Sequence, residues 1–302
     1  MIQWLRQSLA SAGLWDARAG ITVSVRVTNR FEVYLVGRTP GDTQLVVKIP
    51  REPASAALLD HEHRLLVDLH AQAPELLKGL APESYGTINV EQMRAWVQTA
   101  LPGRQVNPHL LRETFGRVAD WRGDLAVLTR GQPLAKSDLF YEGQGTTTRS
   151  SARLELGWLL ADALEYQLPS VLAHGDLHPT NVLVSQDTVG AVDWVWASRV
   201  GRPLFDWFDF CAHLGYETVR EASGAKRWPI VVRSLLEPGE RLHANTVSGA
   251  HRIANALKIS PESIPLQLSL YACSRLHALI RHHYPVLADD LFDRSLPLLQ
   301  RP

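Results

Sequence analysis

The sequence LAHGDLHPTNVLV, residues 172–184, places a dense group of polar residues between two apolar runs. Its central part, 174–181, holds two histidines, an aspartate, an asparagine, a glycine and a proline. Such a group indicates a turn, a metal site or a catalytic loop.

The first two interpretations follow from residue type and alternation. Aspartate and asparagine beside glycine and proline are common turn formers. His174, Asp176 and His178 alternate, so on a strand they would point to one face and could bind zinc. Gly175 and Pro179 interrupt such a strand, which weighs against a regular zinc-binding arrangement.

The third interpretation rests on spacing. Four residues separate Asp176 from Asn181, as in the D-x-x-x-x-N pattern of kinase catalytic loops. A phosphotransferase needs a carboxylate to accept the proton of the attacking hydroxyl, and oxygen ligands for Mg²⁺. A hairpin over 182–192 would return the chain and deliver Asp193, where a kinase has its second metal-binding aspartate.

Two upstream residues complete the kinase order. Lys48 lies in LVVKIP on the third predicted strand and is one of only five lysines in the chain. Glu62 lies in the middle of the helix that follows. Taken singly, each could be a surface residue, but together with the downstream motifs they match a phosphate-binding lysine and its glutamate partner.

The hydrophobic pattern predicts an α+β chain with two lobes. We expect a small, antiparallel, β-rich N-terminal lobe over 1–99 and a larger, mainly helical C-terminal lobe over 100–302. The predicted strands are 21–27, 31–37, 43–50, 84–90 and 93–99, and the main predicted helices are 53–72, 108–128 and 152–168. From about residue 204 the pattern is mostly helical.

Composition narrows the class of protein. Lys+Arg and Asp+Glu are both 31, so the neutral balance gives no general reason to expect a nucleic-acid or membrane partner. The N-terminus has no continuous apolar signal segment, and no apolar run approaches the roughly 18 residues of a membrane span. We expect a soluble, cytoplasmic chain in which Cys211 and Cys273 are buried free thiols.

Several motifs together resemble the aminoglycoside phosphotransferase and choline kinase family, a small-molecule branch of the protein-kinase-like fold. LAHGDLHPTNVLV resembles its catalytic loop, and AVDWVWASRVGRPLFD its metal-binding segment. VVKIPR resembles the lysine strand, and QTALPGRQV the hinge. The resemblance covers roughly residues 20 to 215.

The resemblance implies a role for each matching position. Asp176 would be the catalytic base, while Asn181 and Asp193 would hold Mg²⁺. Lys48 would contact the α- and β-phosphates of ATP and pair with Glu62. The adenine pocket would be lined by Val97, Gln98, Thr99, Ala100 and Leu101. Asn29 could approach the phosphates, and His174 and Asp206 would brace the catalytic loop.

Two departures from the family pattern stand out. Val195 replaces an acidic residue that members often carry two positions after the metal aspartate. The turn Thr28–Arg30 lacks the glycines of the protein-kinase phosphate loop. Neither removes a metal or phosphate ligand, so the sequence predicts an ATP- and Mg²⁺-dependent phosphotransferase. The alternatives are a nucleotide-binding pseudokinase with a scaffolding role and a zinc hydrolase using His174, Asp176 and His178.

The acceptor is predicted from the C-terminal region, which builds the acceptor pocket in this family. Residues 199–302 hold ten Asp+Glu, thirteen Lys+Arg and six histidines. Polycationic acceptors need several carboxylates for charge pairing. We therefore expect a small-molecule hydroxyl substrate that is neutral or anionic, such as a sugar, ahead of an aminoglycoside or choline. The sequence does not indicate an oligomeric state.

Overall fold

The computed structural model describes residues 2–107, 111–139, 151–165, 167–219, 224–278 and 280. The chain divides into two compact units, one formed by Met1–Arg104 with Leu183–Trp196 and the other by Gln105–Val182 with Ala197–Pro302. The stretch Leu183–Trp196, placed in the C-terminal lobe by the sequence analysis, packs with the N-terminal strands. One hydrogen bond that holds this stretch in the first unit runs from the backbone N–H of Ala191 to the carbonyl of Leu80, at 3.0 Å.

The first unit is built on a five-stranded antiparallel sheet. Its strands are β1 Thr22–Val27, β2 Phe31–Gly37, β3 Thr43–Pro50, β4 Ser84–Val90 and β5 Met93–Thr99. Their order in the sheet is β1-β2-β3-β5-β4. Short turns join β1 to β2, β2 to β3 and β4 to β5, which is why these strands are neighbours.

Three helices accompany this sheet: α1 Ile2–Ser11, α2 Pro53–Gln72 and α3 Pro74–Leu77. Pro53 suits the first turn of α2, because backbone N–H groups there have no partner within the helix and proline has no N–H group. Leu5 and Leu9 of α1 are buried against the sheet, in a cluster that includes Val47 and Val97. The sequence analysis did not predict α1.

The second unit is mainly helical. Its helices are α4 Leu111–Leu128, α5 Lys136–Leu139, α6 Ser151–Leu164, α7 Phe205–Thr218, α8 Arg227–Leu236, α9 Arg241–Leu257 and α10 Ser263–Tyr271. A π-helical segment, Ala272–Leu276, continues α10. Most of α7 is buried, including Trp207, Phe208 and Phe210, as expected for a helix that is apolar around its circumference.

Short strands and turns carry the predicted functional segments. The remaining strands are β6 Arg104–Gln105, β7 Val171–Ala173, β8 Val182–Val184, β9 Val189–Ala191 and β10 Ser198–Gly201. β7 pairs with β10, and β8 with β9. The polar stretch 174–181 follows β7 and includes a 3₁₀ turn, Pro179–Asn181, directly before β8. The β8–β9 hairpin confirms the hairpin predicted ahead of Asp193.

Some predictions fall partly outside the described residues, namely the start of the helix over 108–128 and the C-terminal residues 281–302. None of the helices in the described part of the chain combines the length and apolarity that crossing a membrane requires. Cys211 and Cys273 are both buried, and neither takes part in a disulfide, as predicted.

Candidate active site

Lys48 and Glu62 form a buried ion pair in the first unit. The Lys48 Nζ atom lies 2.9 Å from each carboxylate oxygen of Glu62. Lys48 is 5% exposed and Glu62 3%, so neither is the surface residue that it could have been on sequence grounds alone. Glu62 lies on the buried face of α2, between Leu59 and Leu66, which directs its carboxylate toward β3.

Asp193 joins this pair from the segment after β9. Its Oδ1 atom lies 3.0 Å from Lys48 Nζ, and the backbone N–H of Trp194 donates to Glu62 Oε1 at 2.9 Å. Asp193 has a φ of 69°, in the left-handed region that glycine adopts readily and asparagine or aspartate adopt occasionally. The two contacts hold the segment in this conformation and keep the aspartate beside the lysine.

The surrounding carboxylates fix the charge of Lys48. Burial alone would lower its pKa, but the charges and hydrogen bonds of Asp193 and Glu62 outweigh burial and raise the pKa above its ordinary value. The amine therefore stays protonated at neutral pH. A buried ammonium group held by two carboxylates is suited to contact phosphate oxygens.

Val195 occupies a position where an acidic side chain would be unfavourable. It is buried in an apolar cluster with Phe31, Leu59 and Trp96. A carboxylate in this cluster would lose its hydration without gaining a partner from these side chains. Packing around the segment that follows Asp193 thus explains the departure from the family pattern.

The turn between β1 and β2 uses its backbone amides internally. The Thr28 hydroxyl accepts the N–H groups of Arg30 at 3.3 Å and Phe31 at 2.9 Å. Arg51 Nη1 donates to the Thr28 carbonyl at 3.0 Å. The guanidinium of Arg30 lies 4.6 Å from the ring centroid of Trp196. A phosphate contact from this turn would therefore come from Asn29, as predicted, or from the Arg30 side chain.

The predicted adenine-binding segment is only partly outside the sheet. Val97, Gln98 and Thr99 belong to β5 and pair with β3, so much of their backbone is engaged in the sheet. The N–H of Ala100 donates to the carbonyl of Gln44 at 2.9 Å. Leu101 is the first residue of the segment beyond these pairings. The backbone groups available to a base are therefore the carbonyl of Ala100 and the N–H and carbonyl of Leu101.

In the second unit, the catalytic loop brings Asp176, His178 and Asn181 together. Asn181 Nδ2 donates to the Asp176 carbonyl at 3.0 Å and lies 3.1 Å from His178 Nε2. Asp176 Oδ2 lies 3.5 Å from the same ring nitrogen. Burial raises the pKa of Asp176, but His178, His174 and Arg275 together lower it below its ordinary value. The carboxylate is therefore ionised at neutral pH, as a base requires.

Asp206, at the start of α7, braces the loop through its backbone, as the sequence analysis expected. Its carboxylate accepts the N–H groups of His174 at 2.8 Å and Gly175 at 3.1 Å. Arg122 Nη2 lies 3.2 Å from the same carboxylate and also donates to the Leu172 carbonyl at 3.0 Å. These bonds fix the chain on the N-terminal side of Asp176.

Arg122 is a residue that the sequence analysis missed. It is completely buried in α4, where Val118 and Leu125 share its apolar face. An arginine in the middle of an apolar helical stripe is a recognisable signal, because such a charge is retained only with a partner. Its partner, Asp206, is far away in sequence.

The donor atoms fit magnesium better than zinc. Within the described ranges, no three His, Cys, Asp or Glu side chains form a group that could hold a metal ion, which contradicts the zinc site proposed for His174, Asp176 and His178. Mg²⁺ needs only one or two protein oxygens, because it keeps several waters and binds substrate phosphates. Asp193 offers a carboxylate. Since Asn181 uses its NH₂ group within the loop, its amide oxygen is the atom suited to a metal.

Comparison with known proteins identifies the family. The model of the phosphotransferase enzyme family, APH, matches residues 24–226. No curated protein matches the sequence. The structure of aminoglycoside phosphotransferase APH(4)-Ia is similar, with 13% identity, a TM-score of 0.57 and 99% of each chain covered.

Two other solved kinases share the fold. Amicoumacin kinase hAmiN, solved with AMP-PNP and Ca²⁺, has 12% identity and a TM-score of 0.51, with 96% of this chain and 93% of that chain covered. Choline kinase LicA from Streptococcus pneumoniae has 14% identity and a TM-score of 0.50, with 99% and 98% covered. These likenesses confirm the predicted α+β, protein-kinase-like fold. Because the family model matches about two thirds of the chain, the chain belongs to the APH phosphotransferase enzyme family.

Proposed function

We propose that the protein transfers the γ-phosphate of ATP to a hydroxyl of a small molecule in the presence of Mg²⁺. The proposal is carried by one observation, the ion cluster in which Lys48 and Glu62 are buried and Asp193 is partly exposed. Burying the Lys48–Glu62 ion pair costs solvation free energy, and folding alone gives little reason to keep it. The order of the three residues along the chain and their residue types are those of a nucleotide phosphate site.

The first unit supplies the nucleotide contacts in this proposal. Lys48 contacts the α- and β-phosphates, and Glu62 holds its ammonium group in place. Ala100 and Leu101 offer backbone groups to the adenine base, while Val97, Gln98 and Thr99 form the end of the strand behind it. Asn29 is the member of the β1–β2 turn proposed to approach the phosphates.

The second unit supplies the base. The ionised Asp176 carboxylate orients the acceptor hydroxyl and takes its proton as the new oxygen–phosphorus bond forms. The bond between the γ-phosphorus and the β,γ-bridging oxygen breaks at the same time, and ADP leaves. Asn181 and Asp193 would hold Mg²⁺, which would neutralise charge on the β- and γ-phosphate oxygens when bound. Catalysis by this set of residues is mainly positioning and charge neutralisation.

For the acceptor, we propose a neutral or anionic hydroxyl compound, such as a sugar or a sugar derivative. Two of the acidic residues in the C-terminal region, Asp206 and Asp209, are buried and already paired with Arg122 and Arg275. They are therefore not placed to bind a polycation. Their pairing supports the preference for a neutral or anionic acceptor, which the sequence prediction based on the excess of basic over acidic residues in this region.

An ATP-consumption screen with Mg²⁺ tests both levels of the proposal. Candidate acceptors are sugars, amino alcohols, nucleosides and aminoglycosides, and the Asp176→Asn variant serves as the blank. Turnover with any acceptor that disappears in the blank supports the kinase assignment. ATP binding without turnover across the whole screen would favour the pseudokinase alternative, and turnover confined to aminoglycosides would overturn the acceptor preference alone.

A further inference from the structure

A second arginine approaches the catalytic loop from the π-helical segment Ala272–Leu276. Arg275 Nη2 donates to the carbonyl of Gly175 at 2.7 Å, although the two residues are 100 positions apart. π-Helical turns are rare and are frequently found at functional sites. Arg275 therefore reaches the residue directly before Asp176 from an unusual helical turn.

The guanidinium of Arg275 is fixed by two further residues. Its Nε atom donates to Asp209 Oδ2 at 3.0 Å, and Tyr271 donates its hydroxyl hydrogen to Asp209 Oδ1 at 2.8 Å. Asp209 and Tyr271 are both buried. The negative charge of Asp209 raises the pKa of Arg275 above its ordinary value. The arginine is therefore charged, and the hydrogen bonds to Asp209 and to the Gly175 carbonyl hold its planar guanidinium in a single orientation.

Gly175 is thus held on both sides. Its N–H is bound by Asp206 at 3.1 Å, and its carbonyl is bound by Arg275 at 2.7 Å. The N–H belongs to the peptide plane before Gly175. The carbonyl belongs to the next plane, which joins Gly175 to Asp176. Gly175 has a φ of 78°, a region that glycine enters and leaves easily. Without both bonds, the plane next to Asp176 would be free to rotate.

We propose that Arg275 is a positioning residue for Asp176, which acts through the Gly175 carbonyl and is supported by Asp209 and Tyr271. The inference rests on the proposed function, because Asp176 is a base only if the protein is a phosphotransferase. Asp206 restrains the peptide before Gly175, whereas Arg275 restrains the peptide after it. The two contacts therefore have different consequences for the direction of the Asp176 side chain.

The kinetic test compares three substitutions. Arg275→Met removes the donors and should lower kcat by up to about 10²-fold, the size of loss that a displacement near 1 Å produces, with KM for ATP unchanged. Arg275→Lys retains a charged donor and should recover part of kcat. Tyr271→Phe removes only the support of Asp209 and should give a smaller loss. Arg130→Met is the matched control, because Arg130 also donates to a carbonyl, that of Leu257 at 3.1 Å.

Wild-type kcat in folded Arg275→Met would overturn the proposal. A parallel rise in KM for ATP, with no recovery in Arg275→Lys, would overturn it as well, because it would indicate general damage to the fold. If Arg275→Met does not fold, the same criteria apply to Arg275→Lys and Tyr271→Phe, and full activity of both would reject the role.

Hydrogen exchange separates this inference from the proposed function. In Arg275→Met, amide exchange should become faster in a peptide covering 173–178, and the peptide around α9 should be unchanged. Unchanged exchange in 173–178 would reject the restraint even if the enzyme is active. Faster exchange in a protein that turns over no ATP with any acceptor would support the restraint while rejecting the proposed function.

Discussion

Lys48 Nζ lies at the same distance, 2.9 Å, from both carboxylate oxygens of Glu62. This symmetric contact joins β3 to α2, and Glu62 also accepts the N–H of Trp194. One carboxylate therefore fixes both the lysine and the segment that carries Asp193. The arrangement of Lys48 and Asp193 in the first unit therefore depends on this single side chain.

Replacing Lys48 should lower both the stability and the activity of the protein, and the two effects can be measured separately. Lys48→Met leaves the Glu62 carboxylate buried without its main partner, so we expect the free energy of unfolding to fall by about 3–5 kcal/mol. The double variant Lys48→Met/Glu62→Gln removes both charges and should recover much of this loss. Neither variant should use ATP. Denaturant unfolding and steady-state kinetics measure the two effects, with Lys78→Met as an exposed control. An active double variant would refute the role of Lys48.

Asp176→Asn should lower kcat by about 10²–10⁴-fold, because it removes the base but keeps the size of the side chain. Affinity for ATP and the unfolding midpoint should change little. Asp187→Asn, an exposed position in the β8–β9 turn, is the control and should retain wild-type activity. The assignment fails if the Asp176 variant turns over as fast as the control.

Nucleotide binding should depend on divalent metal. In calorimetry with AMP-PNP, Mg²⁺ should increase the affinity of the wild-type protein, and Asn181→Ala or Asp193→Ala should reduce this increase because each removes an oxygen ligand. Asn181→Asp retains an oxygen and should retain the effect. Tight binding without metal, unaffected by any of these changes, would contradict the assignment of both ligands.

The packing of α7 against α9 should tolerate no additional methyl group. A Cβ atom at Gly249 would lie 2.0 Å from Cζ2 of Trp207, whose indole N–H is committed to the Thr246 carbonyl. We expect Gly249→Ala to lower the free energy of unfolding by about 1–3 kcal/mol. Gly20→Ala has open space around the new methyl group and serves as the control in the same thermal melts. Equal melting temperatures would show that this interface is looser than its distances indicate.

Local sequence patterns were sufficient for most of the first unit. The bounds of β2, β3, β4, β5 and α2 agree with the predicted ranges, because alternation, proline and turn residues mark them locally. The prediction missed α1, a helix of ten residues in which only Leu5 and Leu9 are buried. Their burial depends on packing against the sheet, which a local sequence pattern does not show.

The site could be predicted in its residue types but not in its supporting contacts. Lys48, Glu62 and Asp193 were identified from order and spacing, and the structure brings them within hydrogen-bonding distance. The contacts of Arg122 with Asp206 and of Arg275 with Gly175 join distant parts of the chain, so no local pattern could reveal which partner each arginine has.

The return of Leu183–Trp196 to the first unit has a consequence for synthesis of the protein. The first 104 residues leave the ribosome without the segment that supplies Asp193 and the Trp194 N–H, so the buried charges of Lys48 and Glu62 lack part of their partners. About ninety further residues must be translated before this unit is complete, and they include much of the second unit. We therefore expect the N-terminal unit to mature late, after much of the chain that follows it has emerged.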